Sequence, residues 1–535
     1  MAEFNLIDEP WIGVQHRGEQ RQVSIRDVFD DADEISALAN DLPTIDFAVL
    51  RVLLALVHGA MGITTKSELA RLRRQGLDLA AIHSYLDTWH ARFWLFHESA
   101  PFMQVHDLRT AKGKVAGLQM IIADLPNGHP LFTTRMGRGV QSITAAEAAA
   151  WLVHAQAFDA AGTRSGAVGD PLTKDGKGFP IGPAWSGQLG GIIVHGRHLA
   201  ETLALNLVPI PHSDADRPVW ELTPHTEQRT VDAIPAGPLS LLTWQSRRVR
   251  LHGSVQGVTG VVLAQGDKMT PQNRQDLEAM SNWRYSNPQS KKFGVPTYMP
   301  QKHDADRSLW RALPAVLAPE TITNVLKADS DAFIPAATLE CAADHDSAAT
   351  LRVQAVGITY GPKEATIEEV VNDSVDLRAA ILGAESGQIR AMMQDSVAAT
   401  NRAVWQLGTL AANIAKASGE RGDNAGEGAR RRLEQRAWAA LDSAARQWIA
   451  SLSAEDDVED AARRWQLAAR PVLLDLGRQQ YTSAPPASLS GRPVRRGAVE
   501  SFMTADIAFS IFRSGLAKEL PLGAPEPTTN QREES

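Results

Sequence analysis

Apolar residues recur at helical spacing in some stretches of this chain and run or alternate as strands in others. Phe47, Leu50, Leu54, Val57 and Met61 fall on one stripe and predict a helix. Pro43 lies just upstream, and Asp46 sits where it favours the positive end of that helix. A second helix is predicted over Asp78–Leu95, with Leu79, Ile82, Leu86, Trp89 and Phe93 as its core face, and a third over Ala145–Ala157. Ile192-Ile193-Val194 reads as a buried strand and Leu199–Leu207 as a short helix. Leu241–Leu251 and Val258–Ala264 read as strands, with Gly253 and Gly257 between them. Leu351–Ile358 reads as a strand that reaches the turn Gly361-Pro362, after which a helix is expected to begin near Ala365. Residues 101–145 are mixed and loop-rich, with a turn at Pro126-Asn127-Gly128. Residues 267–308 are polar and lack a sustained period, which predicts a long loop.

From about Asp376 the pattern changes to alanine, leucine and arginine at helical spacing. Three stripes stand out: Ile389, Met393, Thr400, Leu407, Ala411 and Ile414; Leu433, Ala437, Leu441, Ala445 and Trp448; and Val458, Ala461, Trp465, Ala468, Val472 and Leu476. A fourth amphipathic segment is expected over Ala498–Leu516, with Phe502, Ile507, Phe509 and Ile511 among its apolar residues. Four such helices predict a bundle. The fold class expected is α+β: a large mixed α/β domain over residues 1–380, a C-terminal four-helix bundle over 381–520, and a disordered tail over 521–535.

Composition narrows the class. At 535 residues, 44% hydrophobic and 22% charged, this is a globular chain of more than one domain. Its apolar runs are short and interrupted, so no transmembrane helix and no secretory signal are expected, and a cytoplasmic location follows as the default. The lone Cys341 excludes an intrachain disulfide and a multi-cysteine metal site. A net charge of −8 argues against indiscriminate coating of nucleic acid, but leaves room for local basic grooves. Candidates are Arg247-Arg248-Val249-Arg250, Lys291-Lys292, Arg430–Arg432, and Arg492 with Arg495-Arg496; each alone reads first as a solvated face.

Catalytic signals are sparse. Three His-Asp dipeptides occur, His106-Asp107, His303-Asp304 and His345-Asp346, but the further ligands of a metal-dependent phosphohydrolase cannot be assembled around them. Zinc-helix, phosphate-loop and nucleophile-elbow motifs are absent. The densest feature is instead the run from Ala161 to Gly191, which holds nine glycines together with Arg164, Lys174 and Lys177. Glycine lets backbone approach a partner closely, and backbone N–H groups with a few cations can grip a phosphate or a groove edge. A flexible surface loop is the equally plain reading of the same residues.

Asn5-Leu-Ile-Asp-Glu-Pro-Trp-Ile12, Pro101-Phe-Met-Gln104, Leu131-Phe132, the glycine run, Leu241–Arg248 and Tyr360–Ile367, taken in this order before a helical final third, resemble the CasA family. That family is the large subunit of the type I-E CRISPR surveillance complex, Cascade. The resemblance spans nearly the whole chain. It implies a subunit that is not a nuclease and needs no cofactor or metal. Such a subunit recognises a short protospacer-adjacent motif in double-stranded DNA through the minor groove, helps open the duplex for the CRISPR RNA, and offers a docking site to a separate helicase-nuclease. The partners implied are target DNA, CRISPR RNA, the other Cascade subunits and that helicase-nuclease.

The resemblance also implies site residues. A glycine loop falls within Ala160–Gly169 and includes Gly162, Arg164, Gly166 and Gly169, with Gly166 nearest a base edge. A lysine finger is Lys291 or Lys292. A wedge lies at Pro362, Lys363 and Glu364, where some family members carry glutamine in place of Glu364. A loop around Phe132, with Arg135 and Arg138, contacts nucleic acid and a neighbouring subunit. The physics fits such a task. The minor groove presents a degenerate pattern, so backbone and one lysine read a short motif permissively. Unstacking costs a few kcal/mol per step, and pairing with a guide is nearly balanced against loss of the duplex, so a local push decides whether pairing starts. The expectation requires Gly166, Lys291 or Lys292, and Lys363 to line one cleft. Two other readings remain: a metal-dependent phosphohydrolase or nuclease built on the His-Asp pairs, and a scaffold that touches no DNA.

Overall fold

A computed structural model describes residues 3–125, 140–317, 333–346, 348–422, 424–496 and 499–521. The expected loop around Phe132, Arg135 and Arg138 and all but the first residue of the expected tail lie outside the described residues. The chain divides into two compact units. One comprises Met1–Leu309 with Ala318–Ser374, the other Trp310–Leu317 with Val375–Ser535.

The first unit is built on the helix Pro43–Met61, with proline at its first turn and Gly62 closing it at φ +57. This helix and Ala145–Phe158 are apolar on nearly every face and buried, with Phe47 and Phe158 in edge contact at 5.9 Å between ring centroids. By length and composition Pro43–Met61 could cross a bilayer; its burial within the protein is that of a core helix. The second expected helix is shorter than its periodicity suggests. It runs Leu79–Trp89, and Trp94–Phe96 is a strand paired with Glu3–Asn5, so Phe93 is buried from the connection. Strand Gly191–His195 pairs antiparallel with Thr350–Tyr360, which is followed across the sheet by Ile367–Arg378. Arg247–Ser254 and Gly257–Gln265 form a long hairpin with a bulge at Val258/Gly260.

Two local expectations are corrected here. No helix starts near Ala365, because Thr359–Ile367 is a strand–turn–strand tip. The buried residues of Ile367–Arg378, Val371, Val375 and Leu377, fall at even spacing on one face, and a connection of six residues suits an antiparallel pair. The polar stretch 267–308 is not one long loop. It holds strands Trp283–Tyr285 and Tyr298–Pro300 and the helix Asn287–Phe293, each too short to produce a readable period.

The second unit contains the helices Gly387–Ser418, Glu427–Ser451, Val458–Thr482 and Ala505–Glu519. The first two bury the stripes read from the sequence. In the third the buried face turns by one residue after Trp465, to Ala469, Leu473 and Leu476. The fourth segment departs further. Within it, Val499–Met503 pairs with Arg492–Arg496 as a hairpin, and the helix behind it buries Ala505, Ala508, Phe512 and Leu516 while Phe502, Ile507 and Ile511 are exposed. Small alanines let this helix approach its neighbours, which hydrophobicity alone does not reveal. Trp310, from the inserted segment, joins Trp438 and Trp465 at centroid distances of 5.8 and 5.9 Å, and its indole N–H donates to Asp442.

Candidate nucleic-acid interface

The glycine run leaves the C-terminal end of helix Ala145–Phe158 at Asp159. It is an ordered hairpin. Arg164-Ser165 pairs with Lys177-Gly178, the Gly166 N–H donates to the Gly176 carbonyl at 2.9 Å, and the Val168 N–H donates to Arg109. Gln265 holds the Gly162 carbonyl at 2.7 Å, and Arg229 pairs with Asp170 at 2.8 Å. Gly169 needs its glycine, since its φ is +98 and a Cβ would meet the Glu227 carboxylate.

Gly166 is buried, and a Cβ there would meet Thr173 at 2.2 Å and Gly176 backbone at 3.0 Å. Its lack of a side chain is therefore used inside the loop. Within 160–169 the exposed residues are Thr163, Ser165, Val168 and Gly169. Arg164 is also committed internally. Its guanidinium donates to both carboxylate oxygens of Asp159, at 2.8 and 2.7 Å. Asp159 pairs in addition with the fully buried Arg247 at 2.5 Å, and Arg247 reaches the Ala160 and Gly182 carbonyls. Burial lowers the Arg247 pKa, with the Asp159 charge opposing that shift. Arg247 and Arg248, read first as a solvated face, are thus core anchors: Arg248 pairs with Asp267 at 2.9 Å. The outward positive charge of the hairpin is carried by Lys174 and Lys177, with Asp175 exposed between them.

The tip stands against this loop. The Ala161 N–H donates to the Glu364 carbonyl at 2.8 Å, and the Tyr360 hydroxyl donates to the Phe158 carbonyl at 2.7 Å. The same burial that seats Tyr360 raises its pKa far above the ordinary phenol value, so it stays a donor. Pro362 and Lys363 are exposed, and Lys363 and Glu364 have φ of +59 and +55. Consecutive left-handed residues are the geometry of a tight hairpin turn that normally selects Asn-Gly. Holding it with lysine and glutamate costs on the order of 1–3 kcal/mol per residue. Beside the tip, Asp159, Ala160, Arg164, Ala365, Thr366 and Ile367 line one cleft, closed on another side by residues 119–123.

Lys291 and Lys292 lie on the exposed helix Asn287–Phe293, with the Lys292 ammonium 5.2 Å from the Phe293 ring. Among the described residues no hydrogen bond or ion pair joins either of them to the tip or the glycine loop. The lysine that does meet the tip is Lys302, which sequence reasoning passed over. Its ammonium lies 3.0 Å from the Glu364 carboxylate and 5.8 Å from the Tyr360 ring centroid. Sixty-two residues separate the pair, so no local pattern signals it. Asp159 and Arg247 did leave a trace, as charges flanked by apolar helix and strand.

The His-Asp dipeptides come apart. His303 is half-buried, with its ring nitrogen 2.9 Å from the Gly191 carbonyl, and desolvation lowers its pKa. His345 pairs with Glu201, and His106 is exposed beside Asp107. Among the described residues the one group whose ligand atoms are close enough to hold a metal is His16, Asp31 and Glu34, which contains none of these dipeptides. Arg17 and Arg21 already pair with its two carboxylates.

The family model described as CRISPR-associated protein Cse1 matches residues 5–476. A CRISPR-associated protein CasA/Cse1 of Thermus thermophilus is 30% identical over 333 residues, which is 59% of this chain and 61% of that relative. The crystal structure of Thermobifida fusca Cse1 superposes with a TM-score of 0.88 at 38% identity, covering 98% of this chain and 99% of the other. A chain of a solved CRISPR RNA-guided surveillance complex shares the fold, with a TM-score of 0.70 at 17% identity and coverage of 96% and 100%. With the model matched along most of its length, this chain belongs to the CRISPR-associated Cse1 (CasA) family.

Proposed function

We propose that the chain is the large subunit of a CRISPR RNA-guided surveillance complex. In that role it recognises a short motif in double-stranded DNA from the minor groove, opens the adjacent pairs for the CRISPR RNA, and offers a helicase-nuclease a place to dock, with no nuclease step of its own. Family membership and the shared fold with a chain of such a complex support the assembly. The observation that carries the DNA reading is the Ala161–Glu364 backbone bond, which sets the glycine-rich loop beside a strained, exposed tip bearing Lys363. The exposed Thr163, Ser165 and Gly169 make a short-side-chain edge that can approach base edges, and a narrow tip can enter the stack beside them. Lys363 supplies the exposed charge at the tip, and Lys174 and Lys177 are placed for phosphate contact on the loop.

The test uses the reconstituted complex with two targets, an intact motif-bearing duplex and the same target already unpaired next to the motif. Lys363→Ala is expected to weaken binding to the intact duplex by roughly tenfold, equivalent to about 1.4 kcal/mol, and to leave the opened target nearly unaffected. Equal losses on both targets, or none on either, would contradict the reading.

A further inference from the structure

Glu364 poses an electrostatic problem for a tip that is to approach DNA, because a carboxylate is repelled by phosphates. The structure contains a counterweight. Lys302 extends from the residues following strand Tyr298–Pro300, places its ammonium 3.0 Å from the Glu364 carboxylate, and lies over the face of Tyr360. The Glu364 main chain is held as well, its carbonyl by the Ala161 N–H and its own N–H by the Gly361 carbonyl at 2.8 Å. Tyr360 is in turn fixed by its bond to the Phe158 carbonyl. Glu364 is thus gripped at both its side chain and its backbone, while Lys363, with its left-handed backbone, remains exposed.

We infer that Lys302 is a positioning residue of the tip: it neutralises and fixes the Glu364 carboxylate, so that Lys363 is the cation the turn presents to DNA. This rests on the proposed DNA-opening role and assigns to Lys302 a part that the expected finger Lys291/Lys292 does not fill. The ion pair is partly exposed, with both side chains a little over two-fifths accessible, so its contribution to folding is small. Its effect lies in charge and orientation at the encounter with a polyanion, where an unpaired like charge is costly.

Lys302→Met keeps the apolar stem over Tyr360 and removes the charge. In the reconstituted complex it is expected to weaken binding to the intact motif-bearing duplex by roughly tenfold and to make that binding less steeply dependent on salt, because one cation fewer acts on the polyanion. Adding Glu364→Gln to Lys302→Met is expected to restore binding to within about threefold of the unaltered complex, because a carboxamide needs no counter-charge. A merely structural Lys302 would not be rescued by a change in its partner's charge. The proposal is overturned if the unaltered complex prefers the motif and Lys302→Met binds equally well, or if the double variant is no better than Lys302→Met. An unaltered complex that does not distinguish motif-bearing from motif-free duplex overturns the functional reading itself, and this proposal with it.

Discussion

The residues that shape this site are mostly hidden ones. Asp159 gathers Arg164 and Arg247 at the root of the glycine hairpin, and Arg247 is buried almost completely. Asp159→Asn should destabilise the first unit by about 2–3 kcal/mol; that is below the loss for a fully broken buried pair, because Arg247 keeps its carbonyl acceptors. Chemical denaturation measures it. Gly166→Ala should lower stability by roughly 1–3 kcal/mol through the clash with Thr173 and Gly176 backbone, detectable as a lower Tm of the isolated chain before any DNA is added. Glycine density made the loop visible in the sequence. It did not reveal which glycines face outward, because the same residue serves close packing and open edges alike. Lys302 was illegible for a different reason: its partner lies in a distant strand connection, and only folding brings the two charges together.

Among the elements, the long helices were the most legible, because a stripe repeated over many turns outweighs local exceptions. Gly387–Ser418 and Glu427–Ser451 bury the residues their spacing indicates. The third helix shows the limit of that reading. Ala468 and Val472 look equivalent to Ala469 and Leu473 until tertiary packing selects the register. Leu473→Ala should therefore cost about 2–5 kcal/mol, whereas Val472→Ala should cost under about 1 kcal/mol, a difference that paired denaturation curves resolve. Short elements were read only where they were strongly apolar, as in Gly191–His195 and Leu199–Asn206; short polar ones carried too little period. The helix bearing Lys291 and Lys292 and the hairpin ahead of the last helix both belong to this group. The tip was located by Gly361-Pro362 but given the wrong continuation. Its strain is invisible in sequence, because nothing in Lys363-Glu364 announces a left-handed turn.

At the scale of the whole molecule, buried histidines set the response to pH. Burial holds His58 and His154 at about 4, well below the ordinary value of 6.5. The stability they contribute is intact above pH 6.5 and is lost as pH falls towards 4, because the unfolded chain takes up protons first. Asp46, raised by burial to about 6 from 3.8, acts in the opposite sense over the lower part of that window. Two histidines outweigh one carboxyl, so Tm should fall steadily from pH 7 to pH 5, and His154→Gln should flatten the slope. The excess of acidic side chains fits the same account of function: with a net charge of −8, attraction to DNA depends on a few placed cations rather than on a basic surface. The most direct test of the central claim is duplex opening itself, followed by the fluorescence of a base analogue next to the motif in the reconstituted complex. Replacing both Lys363 and Glu364 by glycine relaxes the turn and removes the prong. The account predicts that this variant still binds a target already opened but no longer unstacks the intact duplex; unstacking as fast and as complete as with the unaltered chain would contradict it.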